Sequence, residues 1–258
     1  MTKQSFCLPI FEDAFSSHDE LLAYAAEIGY EATEVWGWDR RFDGLAETAA
    51  RHGLRLCSFT GHESIESGLN DPSEFGRIEK ELTVSIERAA AVGADGVIAF
   101  PGSRRRDQSD WMGLVETGRA LRKIAPAAER AGVNINVEIL NSKLDHDNYQ
   151  GDLVDWGIAL CEFVGSPNVK ILFDIYHVQI MQGDIIRSLR RALPYIGHIH
   201  TAGHPGRKDL DDLQELNYRG ICRALSDMGY SGYIGHEFFP RGDKKQALAD
   251  AFSVCRIP

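Results

Sequence analysis

Eight short runs of β-forming residues alternate with longer helical runs, recurring at roughly 30-residue intervals, and no other feature of the sequence constrains the fold as strongly. The strand-like runs are Phe6–Phe11, Ala32–Trp38, Arg55–Thr60, Gly96–Pro101, Asn134–Leu140, Val169–Ile175, His198–Ala202 and Tyr233–Phe239. Helical patterns fill the spaces, among them Glu20–Ile28, Glu79–Val92, Leu114–Arg130 and Leu153–Val164. Gly29, Gly53, Gly93, Gly132, Gly165 and Gly229 stand where helices should end, a position that favours a left-handed residue. Strands that return through a helix pair in parallel. Eight such units in 258 residues match the length of a closed α/β barrel, typically about 250 residues. The expectation is an α/β fold, one (β/α)8 TIM barrel over residues 1–258, with its active site at the C-terminal mouth of the strands. An open doubly wound sheet is the alternative, but no G-x-G-x-x-G opens a helix after the first strand.

The strand faces point the same way. Along Asn134–Leu140 one face carries Ile135, Val137 and Ile139, and the other carries Asn134, Asn136 and Glu138. Along Val169–Ile175 the apolar face is Ile171, Phe173 and Ile175, opposite Leu172 and Asp174. A central strand of an open parallel sheet is apolar on both faces. A barrel accounts for one apolar face under the helices and a second that turns polar toward the mouth.

Composition bounds what such a barrel binds. A chain that is 43% hydrophobic and 26% charged belongs with globular proteins. Its net charge of −10 argues against a nucleic-acid partner, since phosphate binding draws on Lys and Arg. No apolar stretch approaches the ~20 residues that span a bilayer, so no membrane association is expected. The segment beginning Met1-Thr2-Lys3 has no basic stretch followed by a long apolar run, the mark of a signal peptide. Cys7, Cys57, Cys161, Cys222 and Cys255 are scattered without C-x-x-C spacing, which fits reduced, buried thiols in a cytoplasmic protein. Whether copies pair through their outer helices is left open.

Four residues at the ends of the last four strands carry the chemistry. They are Glu138 in Val-Glu-Ile-Leu-Asn, Asp174 in Phe-Asp-Ile-Tyr-His, His200 in His-Ile-His and Glu237 in Gly-His-Glu-Phe. Their separations of 36, 26 and 37 residues are each about one βα unit, so they converge on one mouth. Three carboxylates and an imidazole suit one divalent ion: Mn²⁺, Mg²⁺ or Co²⁺, with Zn²⁺ also compatible. Taken singly, a strand-end carboxylate is often only the cap of the next helix; four in one register are harder to explain so. His62 and Trp36, at the ends of the third and second strands, are candidate substrate contacts. Trp36, Trp38 and Phe59 fit an apolar wall, although strand aromatics are more often core. His236 has the opposite parity to Glu237 and reads as a packed histidine outside the lumen. His198 lies one layer below His200, where support and ligation are equally compatible. Glu34 reads as a lumen residue that supports the site through hydrogen bonds. Arg104-Arg105-Arg106 reads as a solvated loop before an anion grip.

The segments Val-Glu138-Ile-Leu-Asn141, Phe-Asp174-Ile-Tyr-His177, His200-Thr-Ala-Gly-His204-Pro-Gly-Arg207, Leu-Asn-Tyr218 and Gly-Tyr-Ile-Gly-His-Glu237-Phe resemble the hydroxypyruvate isomerase branch of the xylose-isomerase-like barrel superfamily. The resemblance covers essentially the whole chain and is sharpest from Glu138 onward. It implies a metal held by Glu138, Asp174, His200 and Glu237, with the two glutamates as the acid–base pair. It implies also that His177 contacts a substrate oxygen and that Arg207 reaches over the same mouth. Two departures bear on the substrate: the branch carries Gln at the position of His200, where ketose epimerases have His as this chain does, and a Gly-rich run is missing after Arg207.

Moving a carbonyl along a sugar, or inverting the carbon beside it, requires removal of a weakly acidic C–H proton. A metal chelated by the carbonyl and its neighbouring hydroxyl stabilises the resulting charge. One carboxylate takes the proton and a second returns it. The expected activity is a metal-dependent isomerase or epimerase acting on a small sugar-like or keto-acid substrate. A lyase or dehydratase on an oxidised sugar or inositol derivative shares the opening step. A non-catalytic sugar-binding barrel would have no need of all four ligands. An abasic-site endonuclease, also found in the superfamily, would need further ligands and a basic surface.

Overall fold

In a computed structural model, which describes residues 3–39 and 42–256, eight parallel strands close into a barrel in sequence order. They are β1 (Lys3–Cys7), β2 (Ala32–Val35), β3 (Arg55–Thr60), β4 (Gly96–Ala99), β5 (Asn134–Glu138), β6 (Val169–Asp174), β7 (Ile196–Thr201) and β8 (Tyr233–His236). Closure is made by β1 against β8, with Lys3 opposite Tyr233 and Phe6 opposite His236. That pairing removes the open-sheet alternative. Met1 and Thr2, which begin the segment inspected for a leader, lie outside the described residues.

Around the barrel run α1 (Leu8–Phe11), α2 (His18–Ile28), α3 (Phe42–Arg51), α4 (Phe75–Val92), α5 (Asp110–Ala131), α6 (Val154–Val164), α7 (Ile175–Met181), α8 (Ile185–Ala192), α9 (Tyr218–Asp227) and α10 (Lys244–Cys255). Ser17 and Ser109 open α2 and α5 by accepting a backbone N–H. The six glycines expected at helix ends have positive φ, from 67° at Gly132 to 114° at Gly29. No helix among the described residues is long and apolar enough to cross a membrane. The five cysteines are free and buried.

The first strand differs from its expected bounds, beginning at Lys3 and giving way to helix at Leu8. Pro9 explains the break: it lacks the N–H a ladder uses, and its fixed φ suits a first helical turn. The strands that carry the chemistry are also shorter than their apolar runs. β5 stops on Glu138 and β6 on Asp174, while Ile139 and Ile175 stay in the core beyond the last strand residue. Burial continues where the ladder does not.

The expected faces separate as a barrel requires. Ile135, Val137, Ile139, Ile171, Phe173 and Ile175 belong to the core under the helices. Ile98, Phe100, Leu140, Tyr149 and Leu172 form a second apolar cluster. Asn136 of β5 fills space left by a glycine on β4 and another across the lumen on β7: a Cβ at Gly96 would lie 2.5 Å from its Nδ2, and one at Gly197 2.1 Å from its Oδ1.

Candidate metal centre at the barrel mouth

Asp174 shows how one side chain serves both local structure and the site. It caps α7 with one oxygen: Oδ1 accepts from the Tyr176 N–H at 2.8 Å and the His177 N–H at 3.5 Å. The other oxygen, Oδ2, is buried without a hydrogen-bond partner among the described residues and faces the cluster. Capping and ligation are thus not exclusive, because a carboxylate has two oxygens.

The remaining members come from the neighbouring strand ends. One ligand atom from each of Glu138, Asp174, His200 and Glu237 lies within 4.8 Å of the others. His200 Nδ1 stands 3.2 Å from Glu237 Oε2 and 3.7 Å from Glu138 Oε1, without hydrogen-bonding geometry to either. Its other nitrogen, Nε2, is 2.9 Å from Glu34 Oε2. Arg207 Nη2 donates to Glu237 Oε2 at 2.6 Å and lies 3.5 Å from Asp174 Oδ2. Glu237 Oε1 accepts from Trp36 Nε1 at 2.9 Å, with Cys7 Sγ 4.0 Å away. Among the described residues no hydrogen bond engages the Glu138 carboxylate, which lines a cavity of about 850 Å³ with His200, Arg207 and Glu237.

Burial and charge compete at each of these groups. Burial pushes the Asp174 carboxyl up to about 6, although Arg207 and His200 act to lower it. For Glu237 burial also acts upward, but Arg207 and His200 outweigh it and hold the carboxyl well below the usual range. Burial alone would lower His200; the carboxylates of Glu34 and Glu237 reverse that and raise it. The donor set suits a hard divalent ion. Two of its members, Asp174 Oδ2 and His200 Nδ1, are buried polar atoms whose hydrogen-bonding capacity is otherwise unmet. These residues fit such an ion.

The segment around Arg207 is pinned where it can reach the mouth. Gly203 and Lys208 exchange backbone hydrogen bonds at 2.7 and 3.1 Å, and the Phe239 N–H bonds to the Arg207 carbonyl at 2.8 Å. The guanidinium also stands 5.7 Å from the centre of the Tyr176 ring.

Residues 22–256 match the sequence pattern of the xylose isomerase-like TIM barrel family. The chain belongs to that family. A human protein named putative hydroxypyruvate isomerase is 30% identical over 236 residues, covering 87% of this chain and 85% of the relative. A 2-oxo-tetronate isomerase of Cupriavidus necator is 34% identical over 170 residues, 64% of this chain and 62% of that one. A solved L-ribulose 3-epimerase shares the fold with a TM-score of 0.83 at 21% identity, over 98% of this chain and 93% of that one.

Within this family fold, several expected contacts need correction. His62 lines the cavity, but both ring nitrogens are taken by backbone: Nδ1 by the Glu63 carbonyl at 3.0 Å and Nε2 by the Phe100 N–H at 2.9 Å. Burial pushes its pKa down to about 4, so a neutral ring face is what the cavity meets. His177 is fully buried and not part of the cavity wall. Its Nδ1 accepts from the Asn141 backbone N–H at 3.2 Å, and Nε2 lies 3.6 Å from Asp174 Oδ2. Trp36 and Trp38 line the cavity, whereas Phe59 is core against Phe42. Arg104 and Arg105 are half-buried and tied into ion pairs, Arg104 with Asp110 and Asp152 and Arg105 with Asp71, and Arg106 is exposed. His236 lies outside the lumen, 2.9 Å from Gln4 Oε1 and 2.8 Å from Thr201 Oγ1.

Ser5 lies before the expected first strand and Cys7 at its deep end; with β1 running Lys3–Cys7, Cys7 stands at the mouth and Ser5 one layer below it. Cys7 touches Glu237, and Ser5 Oγ donates to Glu34 Oε1 at 2.6 Å. Burial, reinforced by Glu237, pushes the Cys7 thiol well up, so it stays protonated.

Proposed function

We propose that the chain is a divalent-metal-dependent isomerase or epimerase that moves a proton at the carbon beside a carbonyl in a small sugar-like or keto-acid substrate. The observation that carries this is the buried cluster of Glu138, Asp174, His200 and Glu237, with both glutamates facing the cavity. The names of the relatives, hydroxypyruvate isomerase and 2-oxo-tetronate isomerase, support the substrate side. A bound ion would act as a Lewis acid toward the negative charge that develops on the substrate oxygens.

The protein's own residues supply the rest. Glu138, whose carboxylate is free of hydrogen bonds to the described residues, is the group best placed to take the proton. Glu237 is fixed from two sides, by Trp36 at Oε1 and Arg207 at Oε2. Held ionised by these partners, it must first take a proton, from the substrate hydroxyl beside the carbonyl; it then delivers that proton to the neighbouring carbon while Glu138 passes its own to the carbonyl oxygen. Arg207, held over the mouth between Asp174 and Glu237, contributes positive charge where the enediolate forms. Trp36, Trp38 and Phe239 wall the cavity with apolar surface that limits water around the reacting carbons.

The test is proton NMR in D₂O, with metal-stripped protein reloaded with Mn²⁺, Mg²⁺ or Co²⁺ and offered a panel of α-hydroxycarbonyl compounds. Metal-dependent deuterium uptake with an isomeric product supports the proposal. A released fragment or new double bond replaces it with a lyase, and binding without exchange replaces it with a binding protein.

A further inference from the structure

Beneath the proposed metal centre lies a second buried cluster that the acid–base reading does not use. Glu34, on β2, reaches across the lumen to β7, where its Oε2 meets His200 Nε2 at 2.9 Å and His198 Nε2 at 3.0 Å. Its Oε1 accepts from Ser5 Oγ at 2.6 Å. The side chains of Glu34, His198 and His200 are each about 4% exposed. Such burial of a carboxylate is unfavourable unless partners compensate it; here they over-compensate. Burial acts to raise the Glu34 carboxyl, and His198 and His200 hold it well below the usual range instead.

Room for this carboxylate is made by one residue of β8. A Cβ at Gly235 would stand 2.1 Å from Glu34 Oε1 and 3.0 Å from His200 Cδ2. Space, charge and hydrogen bonds from four strands therefore meet on one carboxylate.

We propose that Glu34 is a positioning residue: by accepting from His200 Nε2–H, it turns the imidazole so that Nδ1 faces Glu138, Asp174 and Glu237 as a ligand for a divalent cation. An imidazole whose far nitrogen donates to a carboxylate is fixed in ring plane and tautomer and is a more basic ligand. Ser5 fixes the carboxylate in turn by its hydrogen bond to Oε1, with His198 Nε2 packed 3.0 Å from Oε2. Glu34, His198 and His200 also satisfy the geometry of a small cation cage. The 2.9 Å contact of Glu34 Oε2 with His200 Nε2 is a hydrogen bond, whereas His198 Nε2 stands 3.0 Å away without hydrogen-bonding geometry; the direct bond to an upper ligand makes the lower cluster a support for the upper one.

The inference rests on the metal centre proposed above, and calorimetric titration of metal-stripped protein with Mn²⁺ separates the two. The parent binds one ion per chain. Glu34→Gln keeps the side-chain shape and loses the charge, and its Mn²⁺ affinity falls about 10–100-fold. Ser5→Ala takes a single hydroxyl out of the cluster and weakens binding by a few-fold, on the order of one hydrogen bond. Melting curves of the metal-free proteins show that each variant is folded, and turnover of Glu34→Gln recovers when Mn²⁺ is raised to saturation. A folded variant that binds Mn²⁺ like the parent overturns the role of Glu34. Two ions per parent chain overturn it as well, by making the lower cluster a site in its own right. No binding by the parent overturns the metal centre and this inference together.

Discussion

The C-terminal half of the barrel, β5 to β8, carries Glu138, Asp174, His200 and Glu237. The N-terminal half, β1 to β4, carries Ser5, Cys7, Glu34, Trp36 and His62, which brace His200 and Glu237, directly or through Glu34, or wall the cavity. Residues of the first kind share a register, a chemistry and a spacing of one βα unit, so they announce themselves in the sequence. Residues of the second kind act on partners far along the chain. Glu34 is 166 positions from His200 and Trp36 is 201 from Glu237. Their roles are defined by what they touch and not by what they are.

The division is most exposed to change in the two glutamates. Glu138→Gln and Glu237→Gln should each lower the rate of deuterium exchange by about 10²–10⁴-fold, the usual weight of a general acid or base. If either retains parental turnover with metal bound, the catalytic half has been drawn wrongly.

Asp174→Asn comes next. Asn caps a helix as well as Asp does, so α7 should keep its first turn. Removing an incompletely compensated buried charge should leave the melting temperature of the metal-free protein unchanged or higher. Mn²⁺ affinity should fall by more than the about 10–100-fold typical of residues behind the ligands.

The same residue sets a pH dependence. With its carboxyl pushed up to about 6, Asp174 must lose a proton to ligate, so metal binding should weaken as pH falls through that value. Below it the decline approaches roughly tenfold per pH unit for each proton released. Above it Asp174 imposes no further change. Calorimetry across the transition should show that component disappear in Asp174→Asn.

Effects from the N-terminal half should be smaller and of another kind. Trp36→Phe removes the donor on Glu237 Oε1 and should lower kcat/KM by about 10–100-fold, near one hydrogen bond to a charged group, while Mn²⁺ affinity stays close to parental. His62→Phe leaves the Phe100 N–H without its acceptor. It should lose about 1–3 kcal/mol of stability, read as a lower melting temperature with kcat nearly unchanged. A raised KM with unchanged melting would return His62 to the substrate and blur the comparison.

Much of the fold was legible because each of its signals is local. Val137 and Phe173 alternate with Glu138 and Asp174 along single strands, and Gly132 and Gly165 mark helix ends from one residue each. What was less legible were the ends of strands, since Ile139 and Ile175 stay buried after the sheet has stopped. Pro9 marks the end of β1 in the sequence, and a strand that stops before it brings Cys7 to the mouth with Ser5 one layer below. Position suggests a role at the mouth for His62, and the family resemblance suggests one for His177, but neither reveals the state of the ring nitrogens. Whether a ring nitrogen is free depends on the Phe100 N–H and the Asn141 N–H, which belong to neighbouring strands or their loops.

The sequence by itself determined a parallel barrel and the residue types that its last four strands bring to the mouth, because periodicity and helical returns are properties of short segments. Only the tertiary structure decided which oxygen of Asp174 caps and which faces the cluster, and which nitrogen of His200 is taken by Glu34. Those are choices among atoms a few ångströms apart, made by the packing of strands distant in sequence. They follow from burial, which leaves a polar atom only the partners that the fold brings to it.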